Sequence, residues 1–404
     1  MFSLDNFYHT LYINFFNDTI ARDVSFYPFG STDIDTMSLG IYYNLYHAYK
    51  PFERINVPIV VFYDQEPIQE SIIDKFRIVS GVGTKHDIWC DSIKRLRILA
   101  NSEKSPAKDN ACDYWLMEDW YYFFHGFAAL DWYRDFQYAP KFDNSFSKVF
   151  ICLNRLCTKD RSYRLTLVSK ILSKNIQDKG LLSLALEDLG TGTWQEELKN
   201  PYTKLSTESK QLVEKYIGKL PGSLVVDKST PPGHSSAESS PEVFNLYKTA
   251  LWHVVTETVF YHDKLHLTEK IFKPIVSRRP FILVAAPGNL NYLKSYGFKT
   301  FDKWIDESYD LEKDHDKRLE LIVNELEKLS LLPYNALVQM HAEMDEILDY
   351  NFNHFYGEFK NIIVDEMVNN LEAIFARWNN GRFDDREYDI SNINFQEIKK
   401  RLKS

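Results

Sequence analysis

Short, largely apolar runs, bounded by polar clusters, punctuate this chain and predict buried strands. They fall at 59–63, 96–100, 148–153, 223–227 and 281–284, with a further run around Trp252, Val254 and Val255. Between them, apolar residues recur at helical spacing. The pattern predicts helices over 37–49, from near Pro67, over 161–174, 207–217, 241–248 and 289–296, and then over 311–330 and 335–379. Ile398 and Leu402 suggest a last short helix. Gly297 is the expected stop of the 289–296 helix. Strand and helix alternate in both halves, which argues for an α/β chain of two doubly wound, Rossmann-like domains facing a cleft.

The most informative stretch runs from Leu251 to Pro287. A strand ends at Glu257, and a polar loop follows through His262, Asp263 and His266. Thr268 is placed to cap a helix whose first turn carries Glu269 and Lys270. Ile271, Phe272, Ile275 and Val276 give that helix a buried face, and Arg278, Arg279 and Pro280 stop it. Pro274 lies inside it, so either the helix kinks or its first turn is separate. A helix amino end favours phosphate, Lys270 adds a full positive charge, and Glu269 is an acceptor for paired sugar hydroxyls. Together they make a half-site for a nucleotide sugar, with Glu257 and Thr268 beside it. The plain alternative is a capped surface helix with both charges solvated.

Elsewhere, polar residues gather where parallel strands end, the side on which open sheets bind ligands. Asp64 and Glu66 follow the 59–63 run and are candidates for a general base toward an acceptor hydroxyl; alternatively they cap the next helix. Asn154 and Arg155 follow the 148–153 run, with Arg161 and Arg164 close behind. Their guanidinium forks suit a diphosphate, although Arg164 equally suits a solvent-facing helical position. His125 sits in the aromatic-dense segment 115–134, where it either lines an acceptor pocket or packs among rings. Residues 229–242 (STPPGHSSAESSPE) have the composition of a flexible loop, a lid or a plain surface connection.

Composition narrows the class. A 404-residue chain exceeds one ordinary core, so two domains are the default. The turn-rich segment 140–147 divides them: 1–146 for the acceptor and 147–340 for the nucleotide sugar, with C-terminal helices over 341–404 that can pack back on the first. A net charge of −9 argues against a nucleic-acid coat, although a local basic groove stays compatible with it. Cys90, Cys112, Cys152 and Cys157 form no C-x-x-C pair, which suits reduced thiols in the cytoplasm. Neither a secretory signal nor a transmembrane run is expected. No metal site, bound cofactor or obligate protein partner is called for by the pattern.

Thr268-Glu269-Lys270, set between an apolar strand and a helix leading to Pro280-Phe281-Ile282, resembles the nucleotide-sugar motif of GT-B glycosyltransferases. It is most similar to the fucosyltransferase-like and exostosin-like families. That resemblance implies that Glu269 holds the donor's ribose and Lys270 its diphosphate. It implies that Arg155 or Arg161 contacts phosphate, and that a carboxylate such as Asp64 or Glu66 is the base. It also implies inverting transfer without a bound metal. The segments YDQEP and GFKTFDKWIDESYD resemble DNA-modifying glycosyltransferases of bacteriophages, which makes a hydroxymethylated pyrimidine in DNA a candidate acceptor. A glycan or small-molecule acceptor, or a non-catalytic binding protein on the same fold, are the other readings of the class.

Overall fold

A computed structural model of the chain describes residues 59–63, 97–101, 104, 118–138, 141, 145–188, 192–224, 246–377 and 394–404. The chain divides into two compact units. One comprises Met1–Asp131 and Glu358–Ser404, and the other Trp132–Gly357. The second unit therefore begins upstream of the 140–147 segment that composition alone marks as the divide.

In the first unit, β1 (Ile59–Tyr63), β2 (Arg97–Asn101) and β3 (Glu118–Tyr121) form a parallel sheet in that order. Ile59 registers with Arg97, and Ile98 with Glu118. The third strand is short and half polar, so its sequence lacks the apolar run that marks the other two. A helix follows over Phe124–Trp132. The aromatic segment is thus a strand and a helix, and it packs against the long helix Phe359–Arg377. The Trp120 indole N–H donates to the Met367 carbonyl at 2.9 Å, and the Asn370 amide to the Tyr121 carbonyl at 2.8 Å. Phe123 meets Phe359 edge-on, and a Cβ at Gly126 would stand 2.8 Å from the Phe359 ring. Only glycine allows that approach. His125 is buried in this helix with its ring edge-on to Phe124.

The second unit is α/β, built on a four-stranded parallel sheet in the order β5-β4-β8-β9. Its strands are β4 (Lys148–Cys152), β5 (Gly180–Leu182), β8 (Ala250–Thr256) and β9 (Phe281–Val284). A small antiparallel hairpin, β6 (Glu187–Asp188) with β7 (Gly192–Thr193), branches off between them. β8 and β9 are buried along their whole length, as parallel strands covered on both faces require. At the centre, Trp252 is fully buried and meets Phe301 edge-on, which in turn meets Phe281. Helices Tyr163–Ser173, Asn289–Ser295 and His315–Leu331 accompany the sheet.

One reading of the pattern needs correction, and one alternative left open by Pro274 is decided in favour of a separate first turn. The 335–379 stretch is two helices, Tyr334–Tyr356 and Phe359–Arg377, interrupted at Gly357. A Cβ there would stand 2.8 Å from the Asn353 carbonyl, so glycine permits a backbone course that other residues resist. The break coincides with the division between units. The proposed helix after Thr268 is likewise two pieces, a single 3-10 turn Glu269–Ile271 and a short α-helix Phe272–Val276. Pro274 falls in the first turn of the second piece, where its missing N–H has no intrahelical partner to lose. Among the described residues, no helix is long and apolar enough to cross a membrane.

Candidate functional site

Four of the residues singled out in the sequence converge at the carboxyl end of β8. The strand's ladder extends one residue further, with the Glu257 N–H donating to the Val284 carbonyl at 3.0 Å. The Glu257 side chain is fully buried. Its carboxylate accepts the Thr268 N–H at 3.2 and 3.3 Å and the Thr268 hydroxyl at 2.6 Å. Burial pushes this carboxyl's pKa up, opposed by the Lys270 ammonium and the bonds from Thr268. Glu257 thus ties the strand end to the start of the 3-10 turn. Thr268 also caps that turn, its hydroxyl oxygen accepting the Lys270 N–H at 3.4 Å.

Glu269 and Lys270 stand side by side in this turn. The Lys270 ammonium lies 3.2 Å from the Glu269 carboxylate and 3.0 Å from the Thr268 hydroxyl oxygen. The Glu269 side chain is 6% exposed and that of Lys270 22% exposed. A solvated surface helix is therefore the wrong description: the acid is buried and the ammonium-bearing side chain is only partly exposed. This arrangement offers an acceptor-only group and a cation, side by side, at the end of a parallel strand.

Buried polar side chains that the sequence pattern does not distinguish hold the loops around this pair. Asn289 accepts the His266 N–H at 2.9 Å and donates to the Lys264 and Ala286 carbonyls, both at 2.9 Å. It pins the loop that leads to Thr268. Asp310 accepts the N–H groups of Leu290 and Asn291, capping the helix that Asn289 begins. Arg318 lies over the Phe260 ring at 4.1 Å and donates to the Phe260 and Glu312 carbonyls, both at 2.7 Å. Burial lowers its pKa to about 10, so it stays charged at neutral pH.

The chain matches no family model, and comparison with curated proteins and with solved structures yields no match.

The arginines behind β4 separate into different roles. Arg164 faces neither a ligand nor solvent. It is buried and donates to the Leu156 carbonyl and the Thr256 carbonyl, both at 3.0 Å. Beside it, the Tyr163 hydroxyl donates to the Glu257 carbonyl at 2.6 Å, and its ring stacks on Phe260 at 4.2 Å. These two residues bind the chain just past β4 to the end of β8. Arg155 is exposed and Arg161 half-buried, in the loop that leaves the same strand. Nearby, the Lys204 ammonium donates to Asp160 at 2.7 Å and to His262 Nε2 at 2.6 Å. His262, with its Nε2 3.6 Å from Asp160, and then Lys204 hold the Asp160 carboxyl well below the usual carboxylate range.

Arg278 and Arg279, read from the sequence only as a helix stop, have distinct duties. Arg278 takes the left-handed conformation (φ 48°) that ends helices more often with glycine. Its guanidinium lies 3.4 Å from the Phe352 ring and 3.0 Å from Asp349. Arg279 is buried and donates to the Ser145 and Lys248 carbonyls, with His341 Nε2 at 3.2 Å. Both are structural parts of the turn into β9.

His125 belongs to the other unit. Asp64, Glu66 and the 229–242 loop lie outside the described residues, as do Cys90 and Cys112. Cys152 and Cys157 are buried free thiols, and burial raises the Cys152 pKa to about 11, which makes it inert as a nucleophile.

The Arg164 geometry carries a stability prediction. Arg164→Met removes the donor shared by the buried Thr256 carbonyl at the end of β8 and the partly buried Leu156 carbonyl past β4. The expected loss is about 3 kcal/mol, seen in urea denaturation of the whole chain. A change below about 1 kcal/mol, the size of a single ordinary hydrogen bond, contradicts the assignment.

Proposed function

We propose that the chain is a glycosyltransferase of the GT-B type, with two Rossmann-like domains. It transfers a sugar from a nucleotide-sugar donor to an acceptor hydroxyl, with inversion and without an obligatory metal ion. The observation that supports this most is the Glu269–Lys270 pair, the acid buried and the lysine partly exposed, on a 3-10 turn bonded to the end of a parallel strand. A carboxylate suits the two hydroxyls of a ribose, and an ammonium suits the adjoining diphosphate. Arg155 and Arg161, on the loop leaving β4, are the further candidates for phosphate. Asp64 or Glu66 takes the acceptor's proton as the hydroxyl attacks the anomeric carbon, and the nucleoside diphosphate departs. A hydroxymethylated pyrimidine in phage DNA is the acceptor proposed, in a protein that works in the cytoplasm.

The first test is donor binding. A panel of nucleotide sugars and nucleoside diphosphates is titrated into the chain and followed by thermal shift and calorimetry. At a ligand concentration about 100 times Kd, binding stabilises the folded state by about 2.7 kcal/mol. Glu269→Ala is expected to weaken binding at least about tenfold, since charged hydrogen bonds contribute about 1.5–3 kcal/mol. A folded chain that binds none of the panel, with Glu269→Ala indistinguishable from it, removes the proposal in favour of a non-catalytic binding protein.

A further inference from the structure

The loop leaving β4 ends in a 3-10 turn, Lys159–Arg161. Lys159 takes the left-handed conformation there (φ 55°), a strained choice for a lysine that persists only where surrounding contacts impose it. Buried Glu197 accepts the Lys159 N–H at 2.8 Å and the Thr203 hydroxyl at 2.5 Å. The residue after Thr203, Lys204, donates to Asp160 at 2.7 Å. His262 Nε2 lies 3.6 Å from the same carboxylate. The Tyr261 hydroxyl shares a 2.9 Å hydrogen bond with the buried Ser162 hydroxyl. Lys159, Asp160 and Ser162 are thus each tied to another part of the chain, and half-buried Arg161 stands among them.

This turn lies where a ligand can reach it. β5 and β8 flank β4 on opposite sides, so the strand order reverses between β4 and β8. Open parallel sheets bind ligands outside the carboxyl ends of the strands at such a point. Asp160 follows one of these two strands and His262 the other, so their contact joins the loops that leave both. The side chains of Asp160, His262 and Lys204 are 52%, 45% and 34% exposed, which leaves the cluster open to solvent. Ion pairs this exposed add little to stability. What they can add is geometry. A guanidinium grips phosphate through a rigid fork, and such a group works only when held to within about 0.5 Å of its productive position.

We propose that Lys204 is a positioning residue: through Asp160 it holds the Lys159–Arg161 turn so that Arg161 meets a phosphate of the bound nucleotide. This rests on the reading of Arg161 as a phosphate contact. It goes further in naming the residue, from a separate segment, that sets where Arg161 stands. Lys204 itself does not touch the ligand, so its removal should be felt only while Arg161 is present.

The test uses the full chain. UDP, GDP, ADP and CDP are titrated calorimetrically into wild type. The best binder is then titrated into Lys204→Met, Asp160→Ala, Arg161→Met and the double variant Lys204→Met/Arg161→Met. Lys204→Met is expected to weaken binding about five- to tenfold, but less than about twofold once Arg161 is gone, since coupled residues are not additive. Its urea midpoint should match that of wild type. Asp160→Ala separates position from charge. Loss of a negative charge by itself tightens an anion, whereas loss of the clamp weakens it, and weaker binding is expected. Unchanged or tighter binding in Asp160→Ala overturns the inference. So does an equal loss from Lys204→Met in both backgrounds, which would mark a direct contact or a general structural role. Wild-type affinity in Arg161→Met overturns it as well. If wild type binds and Glu269→Ala does not, while Lys204→Met binds as wild type, this inference fails and the proposed function stands. If wild type binds no nucleoside diphosphate, both fall.

Discussion

For the proposed glycosyl transfer, Asp64→Asn or Glu66→Gln, whichever removes the base, is expected to lower turnover by about two to four orders of magnitude with donor affinity nearly unchanged. The expectation follows from what a transferase needs from its acceptor. An alcohol attacks only as it loses its proton, and at neutral pH a positioned carboxylate takes that proton best. β1 ends at Tyr63, so Asp64 and Glu66 are the first acids beyond the carboxyl end of a parallel strand. Amide replacements keep the shape and remove the basicity, so binding is spared while the chemical step is not. Steady-state kinetics at saturating donor, with the donor Kd measured separately, distinguishes the two. Full activity in both variants places the base elsewhere in the chain.

Under the same proposal, Lys270→Met is expected to lower kcat by about 100- to 1,000-fold, the range seen when a preorganised charge partner of a developing anion is removed. Glycosidic bond cleavage leaves growing negative charge on the diphosphate. An ammonium held in a partly dehydrated site opposes that charge far better than water does: at about 4 Å the attraction is about 4 kcal/mol near a protein surface against about 1 in bulk water. Lys270 is already positioned, with the Thr268 hydroxyl and the Glu269 carboxylate both within hydrogen-bond reach of its ammonium. Methionine keeps most of the apolar stem, so the fold should hold. Burial of Glu257, which Lys270 opposes, then meets less resistance, and its carboxyl should hold a proton more tightly still. A Lys270→Met variant within threefold of wild-type kcat rules out the proposed role in leaving-group departure.

Both predictions concern residues visible in the sequence. What surrounds them was visible to different degrees. The strands at 59–63, 148–152 and 281–284 lie where the apolar runs place them; the latter two are buried almost throughout, and parallel strands covered on both faces leave a continuous apolar signature. β5 is only three residues long and β3 is half polar, so neither presents such a run. The helix break at Gly357 hides inside a continuous amphipathic period, since one glycine changes the backbone without altering the pattern around it. Pro274 announced a discontinuity, and the structure resolves it into a 3-10 turn followed by a short helix.

The site divides along similar lines. Local chemistry marked Thr268, Glu269 and Lys270, because a cap, an acid and a base at consecutive positions after a strand have meaning without any distant partner. Arg164 and Arg279 carry the same charge as a ligand-binding arginine, and nothing in their local spacing tells that they are spent on backbone carbonyls. Asn289 reaches back 25 residues to Lys264, and Arg318 reaches 58 residues to Phe260. Such bonds have no periodicity to read.

By itself, then, the order of residues determined the α/β class of the second unit, the strands that span its core, and the acid–base pair beyond β8, since each depends on neighbours in the chain. Tertiary structure alone decided which charged groups are buried as struts and which emerge. The physical reason is that burial and hydrogen bonding are settled by contacts between residues far apart in sequence, where local pattern carries no information.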